Sequence, residues 1–366
     1  MTDLTDPVPD ERYTAGRLRC WQTPGFTSPA LLPQPMRAIP IQEFDPRRIG
    51  RQSREAIYLD VTVTPAGLPV RQTALVIGGA RDGPLLLIVG GIHGDEYEGP
   101  LAIMRLYDQL DPEAICGSVV AVTVCNVLAY ETATRSASAD GLDLNRVFPG
   151  DPKGSITEQI AHWMADRLVR HADFCIDFHS GGCSQIPLLC AYNPGQGPAA
   201  ELRQKVAESF HTPVCMANRE FLPTQLEGYA GSIGVPLVYT ECPISGLSIN
   251  MPAVDVYQRG ARNTMRVLDM LDGPLEGEPS ACYLYDPSDD QMTLNATASG
   301  FFVAERSVMD KVQDGDRLGF TCDLTGRVLE EFRAPADGVV FLRRWDTTIR
   351  AGDERVFALA LDRRTW

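Results

Sequence analysis

The amino-acid sequence predicts an α/β fold in which a mostly parallel mixed sheet is flanked by helices and followed by a small C-terminal all-β domain. Three observations favour this fold class. Short apolar runs alternate with helical patterns between residues 56 and 281, as in sheets that helices cover on both faces. After residue 282 the pattern changes to short strands separated by glycines. The chain has 366 residues, which is long for a single core.

We therefore expect three segments. Residues 1–55 carry many prolines and no sustained apolar period, which predicts an N-terminal arm and extended segment. Residues 56–281 are predicted to form the main α/β domain, and residues 282–366 the β domain.

The main domain begins with a predicted hairpin, in which IYLDVTV and TALVIG flank the turn AGLP. The apolar run LLLIV, residues 85–89, indicates a short buried strand. The helix after it has Pro100 in its first turn, where proline is tolerated. Its predicted apolar positions include Leu101, Met104 and Leu110.

The segment SVVAVTVC, residues 118–125, indicates the next buried strand. Ser155 then precedes Glu158 by three residues, which is the spacing of a capping box and predicts a helix start. The apolar stripe of this helix includes Ile160, Met164 and Leu168. His162 falls on the opposite face.

Two more buried strands are predicted, FCIDF at residues 174–178 and PLVYT at residues 236–240. The β domain that follows contains the predicted strand segments ASGFFVAE, DGDRLGF, GRVLEEF, APADGVVFL and AGDERVFALAL.

The composition excludes several classes of partner. The formal net charge is −15, whereas nucleic acids and anionic membranes require a basic face. The N-terminus MTDLTDPVPDER lacks an apolar signal segment, and no apolar run reaches the roughly 18 residues of a membrane span. The ten cysteines are scattered singly, which indicates reduced thiols. We expect a cytoplasmic protein with a small-molecule partner.

Polar residues that follow the buried strands carry the predicted chemistry. His93 and Glu96 follow LLLIVGG, His179 follows FCIDF, and Glu241 follows PLVYT. Ligand sites of parallel sheets lie at these strand ends. Two histidines and one carboxylate with an open fourth position form the ligand set of a catalytic zinc site, which leaves Glu241 to act as a base. Cobalt, manganese or iron also suit such ligands.

Each of these residues also has a structural interpretation, since strand-end histidines and carboxylates can simply be hydrogen-bonded core groups. Asp177 is either a partner of His179 on the same strand or a buried structural carboxylate. Cys183 is a weaker ligand candidate and Cys242 a weaker nucleophile candidate. The remaining histidines, predicted to lie at the surface or at helix ends, are His162, His171 and His211.

The polar loop TRSASADGLDLNRVFPG, residues 134–150, has the character of a ligand-binding loop. Its charged residues Arg135 and Arg146 could equally be solvated.

Four motifs in order, HGDEYEG, GLDLNRVFPG, DFHSGG and the strand-end Glu241, resemble the zinc deacylases of the succinylglutamate desuccinylase and aspartoacylase family, which are relatives of the zinc carboxypeptidases. The resemblance covers roughly residues 60 to 275. It implies a zinc carboxypeptidase-like catalytic domain over residues 56–281 and a β domain that narrows the entrance to the site.

The resemblance also implies roles for individual residues. One zinc ion per subunit is held by the metal ligands His93, Glu96 and His179. Glu241 is implied as the general base and acid, and Arg135 as the residue that polarises the scissile carbonyl. Asn145 and Arg146 are implied as the clamp for the α-carboxylate of the substrate.

In some members of the family a tyrosine from the β domain enters the pocket, for which Tyr283 and Tyr285 are candidates. A covalent carrier role, suggested by the APADGVV segment, is disfavoured because Lys311 does not lie in the DLTGR turn.

The implied function is zinc-dependent hydrolysis of the amide bond of a small N-acyl amino acid, of N-acetyl or N-succinyl type, by metal-activated water. The motifs are most similar to the branch with the ectoine-degradation deacetylases that act on N-acetyl-diaminobutyrate. Two alternatives stay open: a metallocarboxypeptidase that trims peptide C-termini, and a non-catalytic binding protein on the same fold. Homo-oligomerisation is possible.

Overall fold

The computed structural model describes residues 36–182, 184–218, 221–243, 248–286 and 292–362. The residues from Arg37 onward form one compact unit. Most of the predicted N-terminal arm, residues 1–35, lies outside the described residues. The remainder of the segment 1–55 contains a first strand that pairs in parallel with the start of the hairpin.

Helices are interspersed with strands along the described residues as far as residue 267, and further strands follow. The α-helices are α1 Glu98–Gln109, α2 Val127–Thr132, α3 Ile156–Arg167, α4 Pro198–Ser209, α5 Leu226–Ser232 and α6 Met251–Val267. The strands are β1 Arg37–Pro40, β2 Ser53–Val63, β3 Pro69–Gly78, β4 Arg81–Gly90, β5 Cys116–Val122, β6 Phe174–Phe178, β7 Ser184–Gln185, β8 Leu189–Tyr192, β9 Val214–Asn218, β10 Leu237–Glu241, β11 Cys282–Asp286, β12 Thr293–Leu294, β13 Gly300–Ala304, β14 Lys311–Val312, β15 Arg317–Cys322, β16 Val328–Arg333, β17 Gly338–Arg344, β18 Thr348–Ile349 and β19 Phe357–Asp362.

A large mixed sheet organises the molecule, with the strand order β1-β2-β3-β5-β4-β6-β10-β8-β9-β11-β19-β17-β14. Its centre, from β5 through β4 and β6 to β10, is parallel. Separate apolar cores cover the two faces of this centre. Each strand contributes to both cores, because its successive side chains point to opposite faces of the sheet. The predicted fold class is confirmed.

Several local predictions are confirmed by the structure. β2 and β3 form the antiparallel hairpin. Ser155 caps α3 in a complete capping box with Glu158. The stripe predicted for α3, Ile160, Met164 and Leu168, is fully buried.

The apolar face predicted for α1 was partly wrong. Met104 is 41% exposed, and the buried positions of the helix are instead Ala102, Ile103 and Leu106. The helix begins at Glu98, which sets the face that it turns toward the sheet. Leu110 is buried, but as the residue that ends the helix.

The C-terminal segment forms two sheets. β11, β19, β17 and β14 extend the large sheet at one edge, and β16, β15, β13 and β18 form a second, antiparallel sheet. Phe302, Phe332 and Phe357 pack against one another between them. All five strand segments predicted in this region contain strands, while the domain boundary at residue 282 stays a prediction.

Among the described residues, no helix is both long and apolar enough to cross a membrane.

An ion-pair cluster fastens the C-terminal half of α6 to the segment after it. Both Arg262 and Arg266 contact the carboxylate of Glu276, at 2.6 and 2.8 Å. The backbone carbonyl of Glu276 also accepts a hydrogen bond from Asn263. Hydrogen bonding to Arg262, followed by that to Arg266, outweighs burial and lowers the pKa of Glu276 to about 2.

We expect Glu276→Gln to lower the free energy of unfolding at pH 7 by on the order of 1 kcal/mol, because it removes charge-assisted hydrogen bonds. The folded pKa lies below the ordinary value of 4.5, so this stabilisation is present above about pH 4.5 and is lost as the pH falls toward 2. Urea unfolding at several pH values measures it. The exposed neighbour Glu278 provides the matched control Glu278→Gln. Equal stability of wild type and Glu276→Gln at pH 7 would contradict the prediction.

Candidate metal centre and active site

The ends of three neighbouring strands bring the predicted metal ligands and Glu241 together. In the register of the sheet, Phe178 at the end of β6 pairs with Gly90 at the end of β4 and with Thr240 near the end of β10. The backbone N–H of His179 donates to the carbonyl of Thr240, with the two atoms 3.0 Å apart. The residues that follow these strands therefore emerge side by side at one edge of the sheet.

The loop between β4 and α1 turns sharply and packs closely. Gly91 has a φ of +61°, in the left-handed region that favours glycine. A Cβ on Gly94 would lie 2.0 Å from the backbone carbon of Ala129 in α2. Glycine is thus required where the loop passes over α2, and this path brings both His93 and Glu96 into the interior, 3% and 2% exposed.

The carboxylate of Glu96 joins the two histidines. Its Oε1 lies 2.7 Å from Nδ1 of His93, and its Oε2 lies 3.0 Å from Nδ1 of His179. The backbone N–H of Ser180 also donates to Oε2 at 3.1 Å. Two imidazole nitrogens and a carboxylate therefore converge on one point, and all three side chains are buried.

The opposite nitrogen of each imidazole faces another carboxylate. Nε2 of His179 lies 3.0 Å from Asp177 Oδ2, and Nε2 of His93 lies 3.3 Å from Asp143 Oδ1. Metal-binding histidines commonly donate this second N–H to a carboxylate, which fixes the orientation of the ring. The hydroxyl of Tyr257 adds a 2.6 Å hydrogen bond to the carbonyl of His179.

The charges of the cluster favour bound cations. Burial lowers the pKa of His179, but the Asp177 and Glu96 carboxylates outweigh it and hold that pKa well above its usual value. Burial and the nearby Arg135 lower the pKa of His93. The Glu96 and Asp143 carboxylates outweigh both, so the pKa of His93 is raised. Burial raises the pKa of Glu96, yet the two imidazoles bring it well below its usual range. Three convergent donors that attract positive charge fit a catalytic zinc ion, for which an open fourth position is typical.

Glu241 ends β10 beside this cluster. Burial, together with the Glu96 and Glu227 carboxylates, raises the pKa of Glu241 to about 8, although His179 and Arg135 oppose the shift. Its Oε2 atom is buried without a hydrogen-bond partner among the described groups. A carboxylate with this pKa can exchange protons near neutral pH.

Arg135 also lies at the cluster. Its Nη1 is 3.5 Å from Nδ1 of His93, and its Nε donates to Asp143 Oδ2 at 3.0 Å. Asp143 thus contacts His93 through one oxygen and Arg135 through the other. Burial raises the pKa of Asp143, but His93 and Arg135 outweigh it, so that this carboxylate stays ionised.

The predicted clamp residues Asn145 and Arg146 have different environments. The amide of Asn145 is buried, where its Oδ1 accepts from the N–H of Leu226 at 2.7 Å and its Nδ2 donates to Glu227 at 3.4 Å. Arg146 is exposed, and its Nη1 donates to the Asn145 carbonyl. The structure places Asn145 beside the site and leaves Arg146 at the surface. Their joint clamp role stays a prediction.

The weaker candidates lie elsewhere or carry no chemistry that the site uses. Burial raises the pKa of the Cys242 thiol far above its usual range, which opposes a role as nucleophile. Tyr283 and Tyr285 pack against the core. Cys183 lies outside the described residues. The other described histidines, none of which belongs to the cluster, are His162, His171 and His211.

Sequence reasoning missed two carboxylates of the site. Asp143 stands in the DLNR motif, two residues before Asn145, and its position there was the available signal. Glu227, in the first turn of α5, lies 3.9 Å from Nε2 of His179. It follows no buried strand, so the sequence contains no signal that would single it out.

The chain is similar to known proteins along most of its length. Residues 82–268 match the model of the succinylglutamate desuccinylase/aspartoacylase catalytic domain. The chain is 30% identical, over 277 residues, to the N-alpha-acetyl-L-2,4-diaminobutyric acid deacetylase of Halomonas elongata, a match that covers 74% of this chain and 81% of the relative.

Two solved structures are similar over most of the chain. A succinylglutamate desuccinylase/aspartoacylase from Rhodobacter sphaeroides superimposes with a TM-score of 0.78 at 25% identity, covering 85% of this chain and 96% of that one. The product-bound ectoine utilization protein EutE (DoeB) from Ruegeria pomeroyi gives a TM-score of 0.78 at 27% identity, covering 84% and 95%. The chain therefore belongs to the succinylglutamate desuccinylase/aspartoacylase family and is an enzyme that acts on amide bonds.

Proposed function

We propose that this protein is a cytoplasmic, zinc-dependent deacylase that hydrolyses the amide bond of a small N-acyl amino acid to a carboxylate and a free amino acid. One observation carries the proposal. A buried His/Glu/His donor set lies beside Glu241, a carboxylate with an unpartnered buried oxygen among the described groups. With a metal bound, this donor set and Glu241 would provide a metal site with an adjacent base, which is the arrangement that amide hydrolysis needs.

The metal is proposed to bind Nδ1 of His93, the carboxylate of Glu96 and Nδ1 of His179, which face one another. When bound there, zinc would supply a lowered pKa, toward about 7, for the attacking water and would polarise the substrate carbonyl. Asp143 and Asp177 keep the two imidazoles in the orientation that presents Nδ1.

The protein's own groups are proposed to handle the proton and the developing charge. Glu241 accepts the proton of the attacking water and returns it to the leaving amine, for which a pKa near neutrality is suited. Arg135, held by Asp143, directs its guanidinium toward the cluster and stabilises negative charge on the carbonyl oxygen. Asn145 and Arg146 are proposed to bind the α-carboxylate.

The substrate proposal follows the relatives. The deacetylase of Halomonas elongata acts on N-alpha-acetyl-L-2,4-diaminobutyric acid, as its name states. We propose N-acetyl amino acids as the first substrate class to test, with N-acetyl-2,4-diaminobutyrate as the leading candidate and N-succinyl amino acids next.

We expect the purified protein to bind about one zinc ion per chain and His93→Asn to lose it, because the variant removes one of three ligands. Metal content after dialysis, determined by inductively coupled plasma mass spectrometry, measures this. The control is His162→Asn, which changes a half-buried histidine on α3 that belongs to no candidate cluster of the described residues. Full zinc occupancy in His93→Asn would rule out the proposed ligand set.

We expect Glu241→Gln to keep zinc and the wild-type melting temperature but to lose turnover by about 100- to 10,000-fold, the usual contribution of a general base. Steady-state kinetics measures the loss, and zinc content shows that the metal site survives. Near-normal turnover in this variant would mean that another group acts as the base.

The function itself is tested by incubating the zinc-loaded protein with a panel of N-acetyl and N-succinyl amino acids and short unblocked peptides. We expect mass spectrometry to detect loss of acyl groups that a chelator abolishes. Loss of C-terminal residues from the peptides would instead assign the protein to the carboxypeptidases. If the metal-loaded protein hydrolyses no compound of the panel, the proposal is refuted.

A further inference from the structure

The helix α6 packs behind the strand end that delivers His179. Phe178 and His179 are successive residues, so their side chains point to opposite faces of the sheet. The imidazole of His179 joins the donor set, whereas the ring of Phe178 stacks on Tyr257 of α6, with the two centroids 4.9 Å apart and the planes at 13°. Tyr257 is fully buried. It therefore supports this strand end from the face opposite to the metal donors.

The hydroxyl group of Tyr257 contacts the ends of both β6 and β10. It donates to the backbone carbonyl of His179 at 2.6 Å. It also hydrogen-bonds with the thiol of Cys242, which is the residue directly after Glu241. Burial raises the pKa of Tyr257 well above its usual value, so the hydroxyl keeps its proton and stays a donor. One hydroxyl group thus joins the segment of a proposed metal ligand to the segment of the proposed base.

This contact adds to backbone bonds that already align the two segments. The N–H of His179 donates to the carbonyl of Thr240 at 3.0 Å. The N–H of Gly181 donates to the carbonyl of Cys242, also at 3.0 Å. Cys242 is buried in the core on the α6 side of the sheet. Because Glu241 and Cys242 are successive, a contact that holds the Cys242 side chain on this side directs Glu241 toward the other face.

The start of α6 is fastened near the remaining metal ligands. Asn250 caps the helix by accepting from the N–H of Ala253. Its own backbone N–H donates to Glu98 Oε1 at 2.9 Å. Glu98 begins α1, two residues after Glu96. The helix α6 therefore contacts the segments that follow β4, β6 and β10, and it provides a common support for all three.

We propose that Tyr257 is a positioning residue whose hydroxyl group sets the spacing between His179 and Glu241. This proposal rests on the deacylase function and the metal ligands proposed above. Within the described part of the chain, the hydroxyl bonds to no side chain of the donor set, so it acts through the backbone of His179 and through Cys242. The spacing matters because a base must lie within hydrogen-bond reach of the water that it deprotonates.

Tyr257→Phe removes the hydroxyl group and keeps the stacked ring, so it tests the proposal with little change of packing. The assay uses zinc-loaded protein of verified metal content and the N-acetyl amino acid that wild type hydrolyses fastest. We expect kcat to fall about 10- to 100-fold, because a small misplacement of reacting groups is costly in rate. KM should change less than about 3-fold, since no group that binds substrate is altered.

A second readout does not depend on turnover. Cobalt suits the same ligands as zinc, and the visible absorption spectrum of the cobalt-loaded protein responds to the geometry of its ligands. We expect this spectrum to change in Tyr257→Phe. The matched control is Tyr107→Phe, which removes the same atom from a ring of α1 that packs against the same apolar core. It should keep the wild-type kcat and spectrum.

A double variant tests whether the hydroxyl acts through Cys242. Cys242→Ala alone should lower kcat. In the Tyr257→Phe background the same change should lower kcat by a smaller factor, because residues that act as one unit are not additive. Full additivity of the two effects would overturn the bridge between the two segments.

The remaining outcomes separate this inference from the function on which it rests. An unchanged kcat and cobalt spectrum in Tyr257→Phe would overturn the positioning role, and so would equal losses in Tyr257→Phe and Tyr107→Phe. A loss confined to KM would also overturn it, because substrate binding would then depend on the hydroxyl. If wild type hydrolyses no N-acyl amino acid, the deacylase function fails. The spectrum then decides alone: a change supports the positioning of His179, and no change overturns it.

Discussion

The alignment of three parallel strand ends is the constraint on which the site depends. Gly90, Phe178 and Thr240 pair in one register across β4, β6 and β10, so the next few residues of each segment must share the same small volume. A shift of one residue would turn each side chain of the shifted strand to the opposite face. The two apolar cores that cover the faces of the sheet fix this register. The packing of the α/β unit thereby sets the positions of the histidines and carboxylates at the strand ends.

Within that volume, carboxylates and imidazoles alternate. Glu96 lies between the two imidazoles, and each imidazole has a carboxylate at its other nitrogen. Such an assembly is costly to desolvate and is retained where function needs it. A divalent ion bound between the imidazoles would offset the negative charge of the surrounding carboxylates. The same network leaves Glu241 partly unpartnered among the described groups and with a raised pKa, which is the property that a proton-transfer group requires.

The residues behind His179 connect two regions that lie far apart in the sequence. Asn145 belongs to the polar loop before α3, yet its amide contacts both the N–H of Leu226 and the carboxylate of Glu227 in α5. Glu227 in turn approaches His179 after β6. The amide of Asn145 thus fastens α5 to the back of the site.

The sequence by itself determined which histidines and carboxylates follow the buried strands, the capping box of α3 and the fold class, because each depends on local periodicity or on residues a few positions apart. Its four motifs were sufficient to indicate the family. The second carboxylate behind His179, the environments of Asn145 and Arg146, and the exposure of Met104 depended on tertiary structure. The physical reason is that these features are set by the packing of segments far apart in the chain, as when α5 brings Glu227 to a histidine 48 positions earlier.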